Sequence, residues 1–200
     1  MRSIGYIFIY YFLFTAIASC SSHYYLNKSD IKYIPYKGNE VLVFQSDKNR
    51  IDTIFLTGTS SFNGCNDPLA FFPNKCDGIR INCTKSDPNY DRHLEEKTLV
   101  ELVATQSGET HISFDITLKG SWFYNIESYS LAEYDKIPNS VLTIGNTVYR
   151  DVKIFEANND AKQYKERSNY SERFYWSASK GFLGLDRRDE KWRLIGIYNP

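Results

Sequence analysis

The run His111-Ile112-Ser113-Phe114-Asp115-Ile116-Thr117-Leu118 decides the fold class. Apolar residues at 112, 114, 116 and 118 alternate with polar ones at 113, 115 and 117. Successive side chains of a strand point to opposite faces, so this run has one dry face and one wet face, the habit of antiparallel sheet. Just before it, Ser107-Gly108 supplies turn chemistry, and Lys97 to Thr105 sets Leu99, Glu101 and Val103 against Val100, Leu102 and Ala104. The two runs together read as a hairpin. Beyond it, Lys119-Gly120 turns into an aromatic strand expected over 122–130.

The pattern continues in both directions. Val41 to Phe44 and Ile51 to Leu56 read as strands around a Lys48-Asn49 turn. Residues 59–78, rich in Asn, Gly, Pro and Phe, read as a long irregular loop, followed by a short strand from Ile79 to Thr84. Toward the C-terminus, strands are expected at Val141 to Ile144, Thr147 to Glu156, Arg173 to Ser177, Phe182 to Asp186 and Lys191 to Ile197. Gly181 and the charged run Arg187 to Glu190 mark turns, and 158–170 is polar. No stretch of a dozen residues shows a helical period, and no phosphate-cradling glycine pattern or fixed repeat occurs. The expected fold is all-β and mainly antiparallel: a meander forming a curved sheet, a half-barrel, or a small barrel or sandwich. The strands are too short, and their outer faces too charged, for an outer-membrane barrel.

Composition agrees with one folded domain. The chain has 200 residues, 42% hydrophobic and 24% charged, enough for a core. Its 16 Tyr, 13 Phe and 3 Trp favour sheet. Lys+Arg and Asp+Glu are both 24, so there is no basic excess of the kind a nucleic-acid partner selects.

The first nineteen residues read as an export leader rather than as part of the fold. Arg2 is the only charge before Lys28, and an almost wholly apolar run extends from Ile4 to Ala18. A basic start with roughly 15 apolar residues is a signal-peptide layout, shorter than a spanning helix needs. The run ends Ile17-Ala18-Ser19-Cys20. An aliphatic residue, two small ones and a Cys form the lipobox pattern, in which the Cys20 thiol takes a diacylglycerol and cleavage before it frees an amine for a further acyl chain. Two or three chains hold a protein at a bilayer where one does not. The expected organisation is a signal peptide over 1–19, a tether over 20–30 and a single β domain over 31–200. Ser21, rather than Asp, follows the Cys, which favours the outer membrane and leaves its periplasmic face and the cell surface both open.

Three further cysteines belong to the body. Cys65 and Cys76 stand in turn-rich contexts, Asn63-Gly64-Cys65-Asn66-Asp67-Pro68 and Pro73-Asn74-Lys75-Cys76-Asp77-Gly78. Cys83 ends the alternating run Ile79-Arg80-Ile81-Asn82-Cys83 and reads as a buried thiol. A Cys65–Cys76 disulfide suits an oxidising compartment, and three reduced thiols suit an anaerobic one. The spacings lack paired C-x-x-C, and no His is near, so zinc is a poor fit.

The ending Phe174-Tyr175-Trp176-Ser177, Lys180-Gly181-Phe182-Leu183 and Trp192-Arg193-Leu194, with the strand Tyr149-Arg150-Asp151-Val152, resembles small lipoproteins of Bacteroidota. The likeness covers mainly 141–197. It implies an antiparallel domain closed by an aromatic strand, a Lys-Gly hairpin turn and a Trp-bearing last strand, and it carries no catalytic residue across. Asp52-Thr53-Ile54 also resembles the short O-glycosylation acceptor of that phylum, a three-residue match that also arises by chance.

Candidate chemistry is sparse. His23, His93 and His111 are scattered, and Asp87, Asp91 and His93 lack the glycine and closing Glu of a calcium loop. No G-x-S-x-G occurs, and Glu95-Glu96 and Asp189-Glu190 read as exposed charge. The expectation is a membrane-anchored, non-catalytic binding or assembly component of the envelope, with no cofactor and no metal. Its partners are the membrane, through the acyl chains, and an envelope protein or a hydrophobic ligand. One alternative is a periplasmic carrier of lipid, with Phe62, Leu69, Phe71 and Phe72 as an apolar mouth in the long loop. The other is a glycan-acting enzyme, which needs two facing carboxylates in a cleft.

Overall fold

The computed structural model describes residues 22–65, 74–85, 97–118, 120–123, 128–157, 165–168 and 170–199. They form an all-β, mainly antiparallel, strongly curled half-barrel. The strands are β1 (His23–Tyr24), β2 (Val41–Ser46), β3 (Ile51–Asn63), β4 (Lys75–Lys85), β5 (Lys97–Ala104), β6 (Thr110–Phe114), β7 (Thr117–Leu118), β8 (Ser121–Phe123), β9 (Tyr129–Ser130), β10 (Ser140–Ile144), β11 (Thr147–Glu156), β12 (Tyr170–Ser177), β13 (Gly181–Arg187) and β14 (Lys191–Tyr198). A 3-10 helix (Lys28–Tyr33) precedes β2, and a short helix α1 (Leu131–Lys136) separates β9 from β10.

The sheet order is β10-β11-β12-β13-β14-β2-β3-β4-β5-β6-β9. The meander has two parts, β2 to β6 and β10 to β14, and the last strand joins them by pairing with the first long one, Trp192 opposite Ser46 and Tyr198 opposite Val41. Two parallel pairs, β1 with β4 and β8 with β12, lie off that path.

Turn chemistry sets the hairpins. Asn49, at φ 60°, takes the left-handed position of the β2–β3 turn, which Asn tolerates better than most residues. The Ser46 hydroxyl accepts from the Lys48 and Arg50 amides there. Gly181, at φ 79°, opens β13 after a turn in which the Ser177 hydroxyl accepts from the Ser179 and Lys180 amides. The Tyr36 hydroxyl packs against the Gly181 Cα and accepts from the Phe182 amide at 2.7 Å, leaving no room there for a side chain.

The core is aromatic. Phe44, Phe174, Trp176, Phe182 and Trp192 are fully buried on the inner face with Leu42, Ile54, Ile81, Leu99, Leu102, Ile112, Ile116 and Leu185. Curling brings the two ends of the sheet together. Phe155 on β11, next to one edge, meets Phe114 on β6 at 5.2 Å and Tyr129 on β9 at 5.3 Å, next to and on the other edge. Helix α1 closes the remaining gap. It is held by a capping box between Ser130 and Glu133, by Tyr134 against Tyr33 at 5.4 Å, and by the Lys153 ammonium, which donates to the Ile137 carbonyl at 2.7 Å.

Several sequence expectations give way. Residues 59–78 are not one long loop, because β3 runs on to Asn63 and β4 begins at Lys75. That extension, Thr57-Gly58-Thr59-Ser60-Ser61-Phe62, is exposed on one face and half-buried on the other, but its residues are small and polar up to Phe62, so the sequence carries no apolar alternation to read. It is held by the ladder to β4, from Gly58 opposite Asn82 to Asn63 opposite Asp77. The run 111–118 is not one strand. Its burial alternates to Leu118, but the Asp115 amide bonds to the Leu99 carbonyl, and β7 then leaves β5 to pair with β8. The two described ends of the aromatic strand expected at 122–130 pair with different neighbours, β8 with β12 and β9 with β6. Within the stretch expected as a tether, Ser22 to Tyr24 lie against β4.

Candidate functional site at the two ends of the sheet

At one end lies the tip of the β3–β4 hairpin. The structure joins Cys65 to Cys76 with Cα atoms 5.0 Å apart, and Cys83 is buried outside that bridge. The Asn63 side-chain oxygen accepts from both cysteine amides, at 3.2 and 2.8 Å, and the Gly64 amide donates to the Cys76 carbonyl at 2.8 Å. The N-terminal segment docks beside it. The Ser22 amide donates to Asn74 Oδ1 at 3.0 Å, the Lys75 amide donates to the Ser22 carbonyl at 2.9 Å, and His23 Nε2 lies 2.7 Å from Asp77 Oδ1. Tyr25 stacks on the His23 ring at 3.9 Å and is 71% exposed.

Phe62 sits on β3, where its ring lies over the Gly78 Cα and under the Arg80 guanidinium, 3.6 Å from ring centre to cation. Glycine at 78 is required by that contact, since a Cβ there would enter the ring. Leu69, Phe71 and Phe72 lie outside the described residues, as do Cys20, the leader 1–19, and Asp87, Asp91 and His93. His111 stands apart from His23, near Ser128 Oγ at 3.3 Å, and among the described residues no three His, Cys, Asp or Glu side chains gather as a metal site. Thr53 is half-buried in mid-sheet opposite Val43.

The bridge allows a direct stability test. Closing a loop of this length is worth about 3 kcal/mol in the chain-entropy model. The Cys65→Ala/Cys76→Ala pair is expected to lower the unfolding free energy, read from the urea midpoint and the m-value, by that amount, and a loss below about 1 kcal/mol would show that the bridge constrains little.

The other end is charged. A cavity of about 350 Å³ is lined by Glu156, Ala157, Lys165, Tyr170, Glu172, Arg173 and Arg188. Arg173 Nε stands 3.4 Å from Glu156, and Arg188 Nη2 stands 3.4 Å from Glu166. Behind it on the outer face, the Tyr175 hydroxyl donates to Asp186 Oδ2 at 2.6 Å, and Arg193 Nη1 reaches Asp186 Oδ1 at 2.7 Å while its guanidinium covers the Tyr175 ring at 4.6 Å. Burial and the Asp186 carboxylate both push the Tyr175 phenol up, so it stays a donor at neutral pH. Gly184 keeps this face close-packed, because an added Cβ would strike the Trp192 carbonyl.

At the same end, two turns are clamped together. The buried Glu190 carboxylate accepts from Arg50 Nε at 2.7 Å and from Arg50 Nη2, with Arg187 Nη1 3.6 Å away. Lys48 reaches Asp189 across the same gap at 3.0 Å. Sequence reading classed Asp189-Glu190 as exposed charge. Asp189 is exposed, but Glu190 is buried because the β2–β3 turn, distant in sequence, folds over it. No local signal reports that.

No family model, curated protein or solved structure matches this chain.

Proposed function

We propose that this chain is an outer-membrane lipoprotein, anchored through Cys20, whose β domain is a non-catalytic binding or assembly module of the envelope. The observation that carries this reading is the Ile17-Ala18-Ser19-Cys20 sequence leading, three residues later, into a docked strand. The likeness to small lipoproteins of Bacteroidota points the same way. A disulfide between Cys65 and Cys76 suits an exported protein. The inner face is filled by the chain's own aromatic side chains, which favours a module that binds on its surface over a lipid carrier. The charged cavity is the concave surface such a partner would use, with Lys165, Arg173 and Arg188 set among Glu156 and Glu172.

The test is metabolic labelling with palmitate. The native chain is expected to take up label and to fractionate with membranes, and Cys20→Ala to do neither. Label retained by Cys20→Ala overturns the reading. A second reading, a glycan-acting enzyme, draws on one observation: Glu156 and Glu172 place two carboxylates in one cleft. It ranks second because Glu156 is already engaged by Arg173. Cleavage of a polysaccharide panel, lost in both Glu156→Gln and Glu172→Gln, would reverse that order.

A further inference from the structure

We infer that the bridged tip of the β3–β4 hairpin is the surface that faces the bilayer, with the charged cavity held at the far end. This rests on the lipid anchor at Cys20 proposed above and goes beyond it, since an anchor alone leaves a domain free to tumble. The decisive observation is how Ser22 is seated. Ser22 is fixed to the tip by two hydrogen bonds, from its amide to Asn74 Oδ1 and to its carbonyl from the Lys75 amide. The next two residues then continue as a strand on β4, His23 opposite Lys75 and Tyr24 opposite Cys76, with the His23–Asp77 contact alongside.

Two peptide units separate Cys20 from Ser22, a reach of at most about 7 Å. Acyl chains on Cys20 must enter the hydrocarbon, so the surface around Ser22, Tyr25, Asn74 and Lys75 is drawn against the headgroups. Its chemistry suits that place. Tyr25 is a largely exposed aromatic with a polar tip, the side chain that settles at a membrane interface, and Lys75 is an exposed cation beside it.

The same geometry sets the opposite pole. β3 runs from Ile51, beside the Arg50–Glu190 clamp, to Asn63 at the bridged tip. Thirteen extended residues span up to about 40 Å. β12 begins at Tyr170 and β13 ends at Arg187, so the cavity residues Tyr170, Arg173 and Arg188 share the clamp end. The cavity is thereby presented away from the membrane, open to the aqueous space.

The experiment uses the lipidated mature protein in vesicles of phosphatidylethanolamine and phosphatidylglycerol doped with a nickel-chelating lipid. Single labels are placed through Lys75→Cys or Lys48→Cys, under non-reducing conditions that keep the native bridge. Nickel at the headgroups is expected to relax a nitroxide at position 75 several-fold more than one at position 48. Equal relaxation in protein that floats with the vesicles overturns the orientation and leaves the anchor standing. Protein that fails to float, with no acyl mass on its N-terminal peptide, overturns both. A Gly/Ser insert of a dozen residues before Ser22 spans about 20 Å and is expected to erase the difference. A difference that survives the insert overturns the short link as its cause.

Discussion

Phe155→Ala is expected to cost about 4 kcal/mol of folding stability and to lower Tm by on the order of 10 °C. Phe155 is 3% exposed and is the ring on which the curl of the sheet closes. It stacks on Phe174 of the neighbouring strand at 4.5 Å with the planes 4° apart, and it touches Phe114 at 5.2 Å, Tyr129 at 5.3 Å and Tyr134 at 6.2 Å. Those partners come from β12, from β6 and from the contiguous β9–α1 segment, three stretches that no local interaction brings together. Truncation removes the buried area of a large ring, leaves a cavity, and loses aromatic pair terms of about 0.5–1.5 kcal/mol each. Equilibrium unfolding of the soluble domain, followed by tryptophan fluorescence, measures it. Val148→Ala on the same strand is the control. Val148 is 49% exposed and should change stability by less than about 0.5 kcal/mol. If the two variants lose similar amounts, the sheet ends are not held together through Phe155.

Arg50→Ala is the second large effect, expected at about 3 kcal/mol. The figure sits at the lower end of what breaking a buried pair costs, because Arg50 is half-exposed and Arg187 stays near the orphaned carboxylate. The cost arises from Glu190, whose side chain has no solvent to turn to. Arg50→Ala/Glu190→Gln should therefore lose less than the sum of the single variants. The effect also has a pH signature. Burial pushes the Glu190 carboxyl up, but the hydrogen bonds from Arg50 and Ser46 and the charges of Arg50 and Arg187 outweigh that and hold it below its ordinary 4.5. A depressed carboxylate stabilises the fold fully above its unfolded-state pKa and ceases to as pH falls through the folded one. The gap between native and Arg50→Ala should be largest at neutral pH and shrink as acid protonates Glu190, first in the variant, where Arg50 no longer offsets the burial. A gap that widens on acidification would show that Glu190 is not the charge being satisfied.

The candidate site shows the limits of a linear reading. Cys65 and Cys76 were legible as a possible pair because both stand in turn sequences a hairpin's width apart. In sequence, Phe62 falls in 59–78, a stretch whose Asn, Gly and Pro content reads as a loop. On β3, with Gly78 opposite it across the sheet and Arg80 above its ring, the same Phe62 is a packed strand residue. The cavity had no sequence signature at all. Glu156, Glu172 and Arg188 come together only because β11, β12 and the β13–β14 turn are neighbours.

Periodicity and turn chemistry act over a few residues, and those are the features the amino-acid order determined unaided. They include the all-β class, the β10, β11, β13 and β14 strands to within a residue at each end, and the turns at Asn49, Gly108 and Gly181. The docking of β14 on β2, the parallel seat of β1 on β4, the burial of Glu190 and the meeting of Phe155 with Phe114 were decided only by tertiary structure. Each depends on which strand edges and faces come within reach once the sheet curls. Curl is a sum of small twists over the whole sheet, so no single segment of the chain encodes it.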